Sequence, residues 1–184
     1  MNIGIVGIGV VGGACKFGFE KLGHTVKAHD LNLDTSISDL LECKIVYICV
    51  PTPSKSDGSC DTSVVENCVS ELNSLGFLGS IAIKSTVEPG TTEKLAKNYP
   101  ELDICFVPEF LRERCAITDF VENHDLLVVG TENPETENIV KECHGNYPQK
   151  TVTLGYTEAE MIKYYSNAFN ALRIIFANGF YEIC

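Results

Sequence analysis

The chain of 184 residues has no tryptophan and only two methionines, and it is poor in positive charge: Lys and Arg number 14 against 25 Asp and Glu, a formal net charge of −11. That balance excludes a surface built for nucleic acid or anionic lipid, because such partners need a basic face to release counterions. Any phosphate must be held locally, by helix termini. No apolar run approaches the roughly 18 residues of a membrane span, and the N-terminal stretch lacks the basic leader and small-residue cleavage site of a signal peptide. A cytoplasmic protein with no membrane contact is expected. No Cys-x-x-Cys pair occurs. The nine cysteines are odd in number and scattered, several inside apolar stretches such as IVYICV and DICFV; they read as small hydrophobes rather than as disulfides or a metal site. Low-complexity tracts and internal repeats are also missing, leaving an ordinary globular composition, 45% hydrophobic, for one well-filled core.

What is present is organised around the opening, NIGIVGIGVVG. An apolar run stops at Gly7, and the spacing Gly7, Gly9, Gly12 leads into the helix-compatible ACKFGFEKLG: a strand, a tight turn and a helix N-terminus in the order of a dinucleotide fold. Gly7 permits the turn, Gly9 lets the backbone approach a pyrophosphate, and Gly12 lets helix and strand pack closely. The N–H groups around Val10 and Val11 are left for phosphate oxygens. A tight structural turn in an unrelated α/β sheet would explain the glycines alone. It would not explain the sequel, a second strand from Thr25 to His29 ending in Asp30, placed to accept from both ribose hydroxyls of an adenosine. No Arg or Lys follows Asp30 within five residues, which favours NAD over NADP.

Further strands are expected over Lys44–Val50, Ser80–Ser85, Asp103–Val107, Leu126–Gly130 and Thr151–Gly155. Helical segments alternate with them: a turn or two at SDLLEC, a helix after Asp61 or Thr62 with Val64, Val65, Cys68, Val69 and Leu72 inward, TTEKLAKNY, and PETENIVKECHG closed by Gly145. This alternation predicts an α/β, Rossmann-type, doubly wound and mostly parallel sheet. Pro51, Thr52 and Pro53 end one strand, Thr86 to Gly90 follow another, and Pro108 ends a third, so these loops leave at the carboxyl edge, where open α/β sheets bind ligands. From Thr157, with Glu160 in a capping box, a single helix is expected to run to Cys184. Met161, Tyr165, Ala168, Leu172, Ile175, Phe176 and Phe180 form its apolar stripe, and Lys163 and Asn167 lie on another face. A stripe so apolar predicts self-association, a two-fold dimer through this helix. Residues 1–156 thus read as a dinucleotide-binding domain and 157–184 as the start of a separate long helix.

Hydride removal from an alcohol needs a base, or a water held by one, and a donor that stabilises the alkoxide. Thr86, the run Glu109 to Glu113, and Lys163 with Asn167 provide carboxylate, hydroxyl, ammonium and amide on the carboxyl edge. The plain alternatives are a solvated loop in which Glu109 and Glu113 pair with Arg112 and Arg114, and a polar helix face for Lys163 and Asn167. His24, His29, His124 and His144 share no spacing with an acid or nucleophile and read as structural or surface residues.

The segments GIGVVG, VPTP (Val50 to Pro53), KSTVEPGTT (Lys84 to Thr92), VPEFLRE (Val107 to Glu113) and AEMIKYYSNAF (Ala159 to Phe169), in this order, closely resemble the amino-terminal half of the UDP-glucose/GDP-mannose dehydrogenase family. The resemblance covers essentially the whole chain. It implies an NAD-binding domain followed by the central helix that joins two domains and carries the dimer contact, and NAD-dependent oxidation of the C6 alcohol of a nucleotide sugar, of the UDP-glucose to UDP-glucuronate type. By that resemblance Gly7, Gly9, Val10, Val11, Gly12, Asp30, Val50, Pro51, Thr52, Thr86 and Glu113 would contact NAD. Glu109, Phe110, Leu111 and Arg112 would line the nucleotide sugar, with Glu109 as acid/base and Thr86 beside it. Lys163 and Asn167 would hold alkoxide and water. The family's nucleophilic cysteine lies in a GxCFPKD-like segment beyond the central helix, which these residues do not contain, so the full four-electron reaction is not expected from them alone. The chain departs elsewhere too: a short link after Asp30 with no lysine there, Glu88 in the STVP turn, and HDLL where many members have PDR. Two other functions are compatible, an NAD-binding module without catalysis and a β-hydroxyacid dehydrogenase. The latter is similar in its short second-to-third strand link and its KxxxN pair, but lacks a PEFLRE-type loop.

Overall fold

The computed structural model describes all 184 residues. Strands β1 (Asn2–Val6), β2 (Thr25–His29), β3 (Ile45–Ile48), β4 (Ser80–Ile83), β5 (Asp103–Phe106), β6 (Leu126–Gly130) and β7 (Lys150–Leu154) form one sheet in the order β2-β1-β3-β4-β5-β6-β7. Helices α1 (Val10–Lys21), α2 (Ser63–Ser74), α3 (Thr91–Asn98), α4 (Ala116–Val121), α5 (Pro134–His144) and α6 (Tyr156–Ile183) complete it. Every neighbouring pair is parallel except β5 and β6, which meet antiparallel through their last residues, Phe106 opposite Gly130. The Rossmann-type, mostly parallel sheet followed by a long helix is as expected. The short link after Asp30 holds only a 3-10 turn at Ile37–Leu40, so β2 is the sheet edge and the order reverses between β1 and β3.

The period of two along the strands builds two cores. Val46, Ile48, Ile81, Ile83, Ile104 and Phe106 point one way, onto Val65, Val69 and Leu72 of α2 and Leu95 of α3. Ile45, Tyr47, Ala82 and Cys105 point the other way, onto Ala14, Cys15 and Phe19 of α1, Phe120 of α4 and Val140 and Cys143 of α5. Cys15, Cys105 and Cys143 are fully buried among apolar side chains, the small-hydrophobe role anticipated for several of the cysteines, while Cys184 is exposed. His144 is likewise a core residue, its Nδ1 2.8 Å from the Val140 carbonyl oxygen.

One expectation fails. Helix α6 begins at Tyr156 after Gly155, with no side-chain cap, so Thr157 and Glu160 form no capping box. Glu160 instead reaches across to α3. Its Oε2 accepts from the Gly90 amide (2.5 Å) and its Oε1 from the Thr92 amide (2.8 Å) and hydroxyl (2.6 Å). Gly90, at φ +95°, leaves α3 without a capping side chain of its own, and the macrodipole there attracts the carboxylate. This clamp fixes the root of α6 over the sheet. Beyond it the helix leaves the core, and Leu172, Ile175, Phe176 and Phe180 are exposed. No helix is long and apolar enough to cross a membrane.

Candidate functional site

The glycine loop is built as its spacing demands. Gly7 sits at φ +90°, and a Cβ there would lie 2.6 Å from the Cys49 carbonyl oxygen; a Cβ on Gly12 would lie 1.9 Å from the Gly7 oxygen. Both positions exclude any side chain. Gly9 is different: nothing lies within 4 Å of the position its Cβ would take. It is the N-cap of α1, whose first turn carries no acidic side chain. The partial positive charge of that turn, around Val10 and Val11, therefore faces open space of the kind a pyrophosphate fills.

Asp30 closes one side of this cradle. Its Oδ1 accepts from the Asn32 amide and side chain, both at 3.0 Å, and its Oδ2 from the Ile8 amide at 2.8 Å. The Asn32 amide and then the Ile8 amide hold its carboxyl below the usual range, so it is ionised at neutral pH, with lone pairs to spare for a ribose diol. Across the cleft, Glu113 and Arg114 face Gly9, Val10 and Gly13 around a cavity of about 470 Å³. At the carboxyl ends of β3 and β4 two loops are latched: Ser85 Oγ donates to the Val50 carbonyl oxygen (2.7 Å), and Thr52 Oγ1 donates to that of Thr86 (2.7 Å). Pro51 is exposed between them. Of the residues expected to meet NAD, Gly9, Val10 and Glu113 line this cavity, while Val50, Pro51, Thr52 and Thr86 stand on loops at the same carboxyl edge, and the cradle at Gly9 fits a dinucleotide.

The carboxyl edge also holds a buried ion pair. Lys163 Nζ donates to the Glu109 carbonyl oxygen (2.6 Å) and to Glu109 Oε1 (2.7 Å), with side chains only 6% and 15% exposed. Glu109 Oε2 accepts from the Leu111 amide at 2.6 Å, and the Phe110 ring lies 5.7 Å from the ammonium. This is neither a solvated loop nor a polar helix face. Two of the three ammonium protons are used inside the chain, leaving one for a ligand oxygen. Asn167 follows one turn later, exposed, and makes no hydrogen bond within the chain. Thr86 lies on the same edge, half-buried, but no hydrogen bond joins it to Glu109 or Lys163.

Arg112 does not pair with the neighbouring glutamates. Its Nε and Nη2 donate to Asp119 Oδ2 (2.9 Å) and Oδ1 (2.7 Å), and its amide also donates to Oδ2 (2.9 Å). The guanidinium holds the Asp119 carboxyl well below the usual carboxylate range. Glu109, Phe110, Leu111, Tyr165, Ser166 and Phe169 line a cavity of about 320 Å³ beside the pair. Sequence reasoning missed Lys84 on its wall. This residue is 3% exposed, and its ammonium is 3.3 Å from the Val107 carbonyl oxygen and 5.8 Å from the Tyr47 ring. A lysine closing the apolar run SIAIK was the available signal.

The sequence pattern of the UDP-glucose/GDP-mannose dehydrogenase family, NAD binding domain, matches residues 26–147. The chain is 30% identical to the UDP-glucose 6-dehydrogenase AglM of Haloferax volcanii, with all of this chain and 54% of that protein covered. It is also 30% identical to the UDP-glucose 6-dehydrogenase YwqF of Bacillus subtilis, with all of this chain and 51% of that protein covered. It thus spans about half the length of these relatives. Its fold matches that of a UDP-glucose dehydrogenase from Pyrobaculum islandicum at a TM-score of 0.86 and 26% identity, over 97% of this chain and 51% of that one. The glycine cradle, the ionised Asp30 and these matches together place the chain in the UDP-glucose/GDP-mannose dehydrogenase family of oxidoreductases, as an NAD-binding domain.

Proposed function

We propose that the chain is the NAD-binding, alcohol-oxidising part of a nucleotide-sugar 6-dehydrogenase, acting on the C6 hydroxyl of a sugar of the UDP-glucose type. The observation that carries this reading is the desolvated Glu109–Lys163 pair beside the dinucleotide cleft. NAD, when bound, supplies the hydride acceptor. Glu109 takes the hydroxyl proton, directly or through a water on Asn167, while the remaining proton of Lys163 stabilises the oxygen as charge develops. The PEFLRE loop that carries Glu109 weighs against a β-hydroxyacid dehydrogenase. In this reading residues 1–156 are the cofactor domain, and 157–184 begin the helix through which two copies pair. Aldehyde oxidation to the acid would draw on a nucleophilic cysteine in a GxCFPKD-like segment, a motif these residues do not contain.

The test is NADH formation by the chain with NAD and UDP-glucose, compared with Glu109→Gln and Lys163→Met. Loss of a general base or its electrostatic partner should lower the rate at least about 100-fold with NAD affinity retained. Equal rates in all three proteins would refute the assignment.

A further inference from the structure

Helix α6 runs for 28 residues, yet only Ala159, Glu160 and Lys163 of it are buried. Glu160 precedes Lys163 by three residues, so the two side chains are neighbours on one face, about 4.5 Å apart along the axis. They reach different elements. Lys163 Nζ meets the carbonyl oxygen and the carboxylate of Glu109, on the loop after β5. The Glu160 carboxylate meets the Gly90 amide and the Thr92 amide and hydroxyl, at the start of α3 after β4. Two buried side chains therefore mount the root of the helix at two points, across the carboxyl ends of β4 and β5. From Asn167 onward every residue of α6 is exposed, so the direction in which Lys163 points is set at this root.

Glu160 is fully buried, and its hydrogen-bond partners, two amides and a hydroxyl, are all neutral. A carboxylate in such a place is costly, offset here by charge-assisted bonds and by the α3 dipole. An apolar contact would join α3 to α6 at less cost, but it has no direction and would let the helix turn about its axis. Three directed bonds do not. The segment they grip is itself fixed: the loop from Thr86 to Gly90 is latched at one end by the Thr52 hydroxyl on the Thr86 carbonyl oxygen (2.7 Å). In its middle the Cys60 amide donates to Glu88 Oε1 (2.8 Å). Glu160 thus fastens α6 to an immobile part of the carboxyl edge, one turn before the ammonium. Precision at that point matters, since a misplacement of about 1 Å can cost about 100-fold in rate.

We propose that Glu160 is a positioning residue that sets the rotation of α6 and so holds the Lys163 ammonium against Glu109; its part in catalysis rests on the nucleotide-sugar reading given above. The test follows acetylation of individual lysines by acetic anhydride, read by peptide mass spectrometry, in the parent, Glu160→Gln and Thr92→Val. Glutamine keeps the shape but sets donor against donor at the Gly90 or Thr92 amide, and Thr92→Val removes one bond from outside α6. Lys163 should be labelled at least about fivefold faster in Glu160→Gln and about twofold faster in Thr92→Val. Lys84, 3% exposed within the sheet, should keep its parent rate. With NAD and UDP-glucose, kcat should fall at least about tenfold in Glu160→Gln, with KM and NAD affinity within about threefold of the parent. The Glu160→Gln/Lys163→Met double variant should be no slower than Lys163→Met, because the first change acts through the second residue. Unchanged Lys163 labelling in both variants, equal acceleration at Lys84, or additive losses of kcat would each overturn the role. If labelling changes as expected while Lys163→Met forms NADH at the parent rate, the reaction assignment fails and the positioning of Lys163 stands.

Discussion

Replacing Lys163 with methionine keeps the length of the side chain and removes its charge, which isolates the electrostatics of the Glu109 pair. At 2.7 Å and an effective dielectric constant near 20, the gross attraction is about 6 kcal/mol. Burying both ions costs several kcal/mol each, so the intact pair is close to break-even. Removing one partner is not. Glu109, 15% exposed, would keep only the Leu111 amide, and a carboxylate left in that position costs about 3–5 kcal/mol. For a chain of this length, that is a fall in melting temperature of about 6–20 °C. Urea unfolding of the parent, Lys163→Met, Glu109→Gln and the double variant forms a double-mutant cycle. The pair should show a coupling of at least about 1.5 kcal/mol, with the double variant more stable than the sum of the singles implies. A loss below about 1 kcal/mol in Lys163→Met, or additive singles, would refute the desolvated ion pair and the geometry built on it.

Three further outcomes follow from the same structure. Gly9→Ala should melt like the parent yet bind NAD at least about tenfold more weakly, because its Cβ enters empty space that phosphate needs, whereas Gly12→Ala should also lose about 2 kcal/mol or more of stability to the clash at 1.9 Å; melting curves and NAD titration separate the two. Burial holds His144 well below its ordinary value and His124 down to about 4. The unfolded chain therefore takes up these protons first, and stability should fall as pH drops below about 6.5, by up to about 1.4 kcal/mol per pH unit for each histidine, with His124→Gln removing one share of the slope in urea titrations. The exposed Leu172, Ile175, Phe176 and Phe180 predict a dimer at micromolar concentration, and a monomeric mass by sedimentation would contradict pairing through α6.

Much of this was legible in the residues. Strand and helix positions followed from periodicity and from proline and glycine punctuation, and the tight turn into α1 from Gly7, Gly9 and Gly12, since each of these acts through local backbone geometry. The grip of Lys163 on Glu109 was legible only as a shared sheet edge, because 54 residues separate the partners. Glu160 was misread for the same reason. A capping box is a local pattern, and the α3 N-terminus that claims this carboxylate lies 68 to 70 residues away. Helix α4 escaped notice because its six residues, AITDFV, are too few to show a helical period. The pairing of Arg112 with Asp119 depends on the turn at Glu113–Cys115 bringing the chain back, and Glu109 and Glu113 were nearer in sequence.

The most direct test of the central claim, that these residues remove hydride from a nucleotide-sugar alcohol, is product analysis after the chain is mixed with NAD and UDP-glucose. Mass spectrometry with an aldehyde trap should find NADH together with the sugar aldehyde and no uronate, as a site with Glu109 and Lys163 but without a GxCFPKD-like cysteine segment requires. Sustained uronate production, or no NADH with both ligands demonstrably bound, would contradict it.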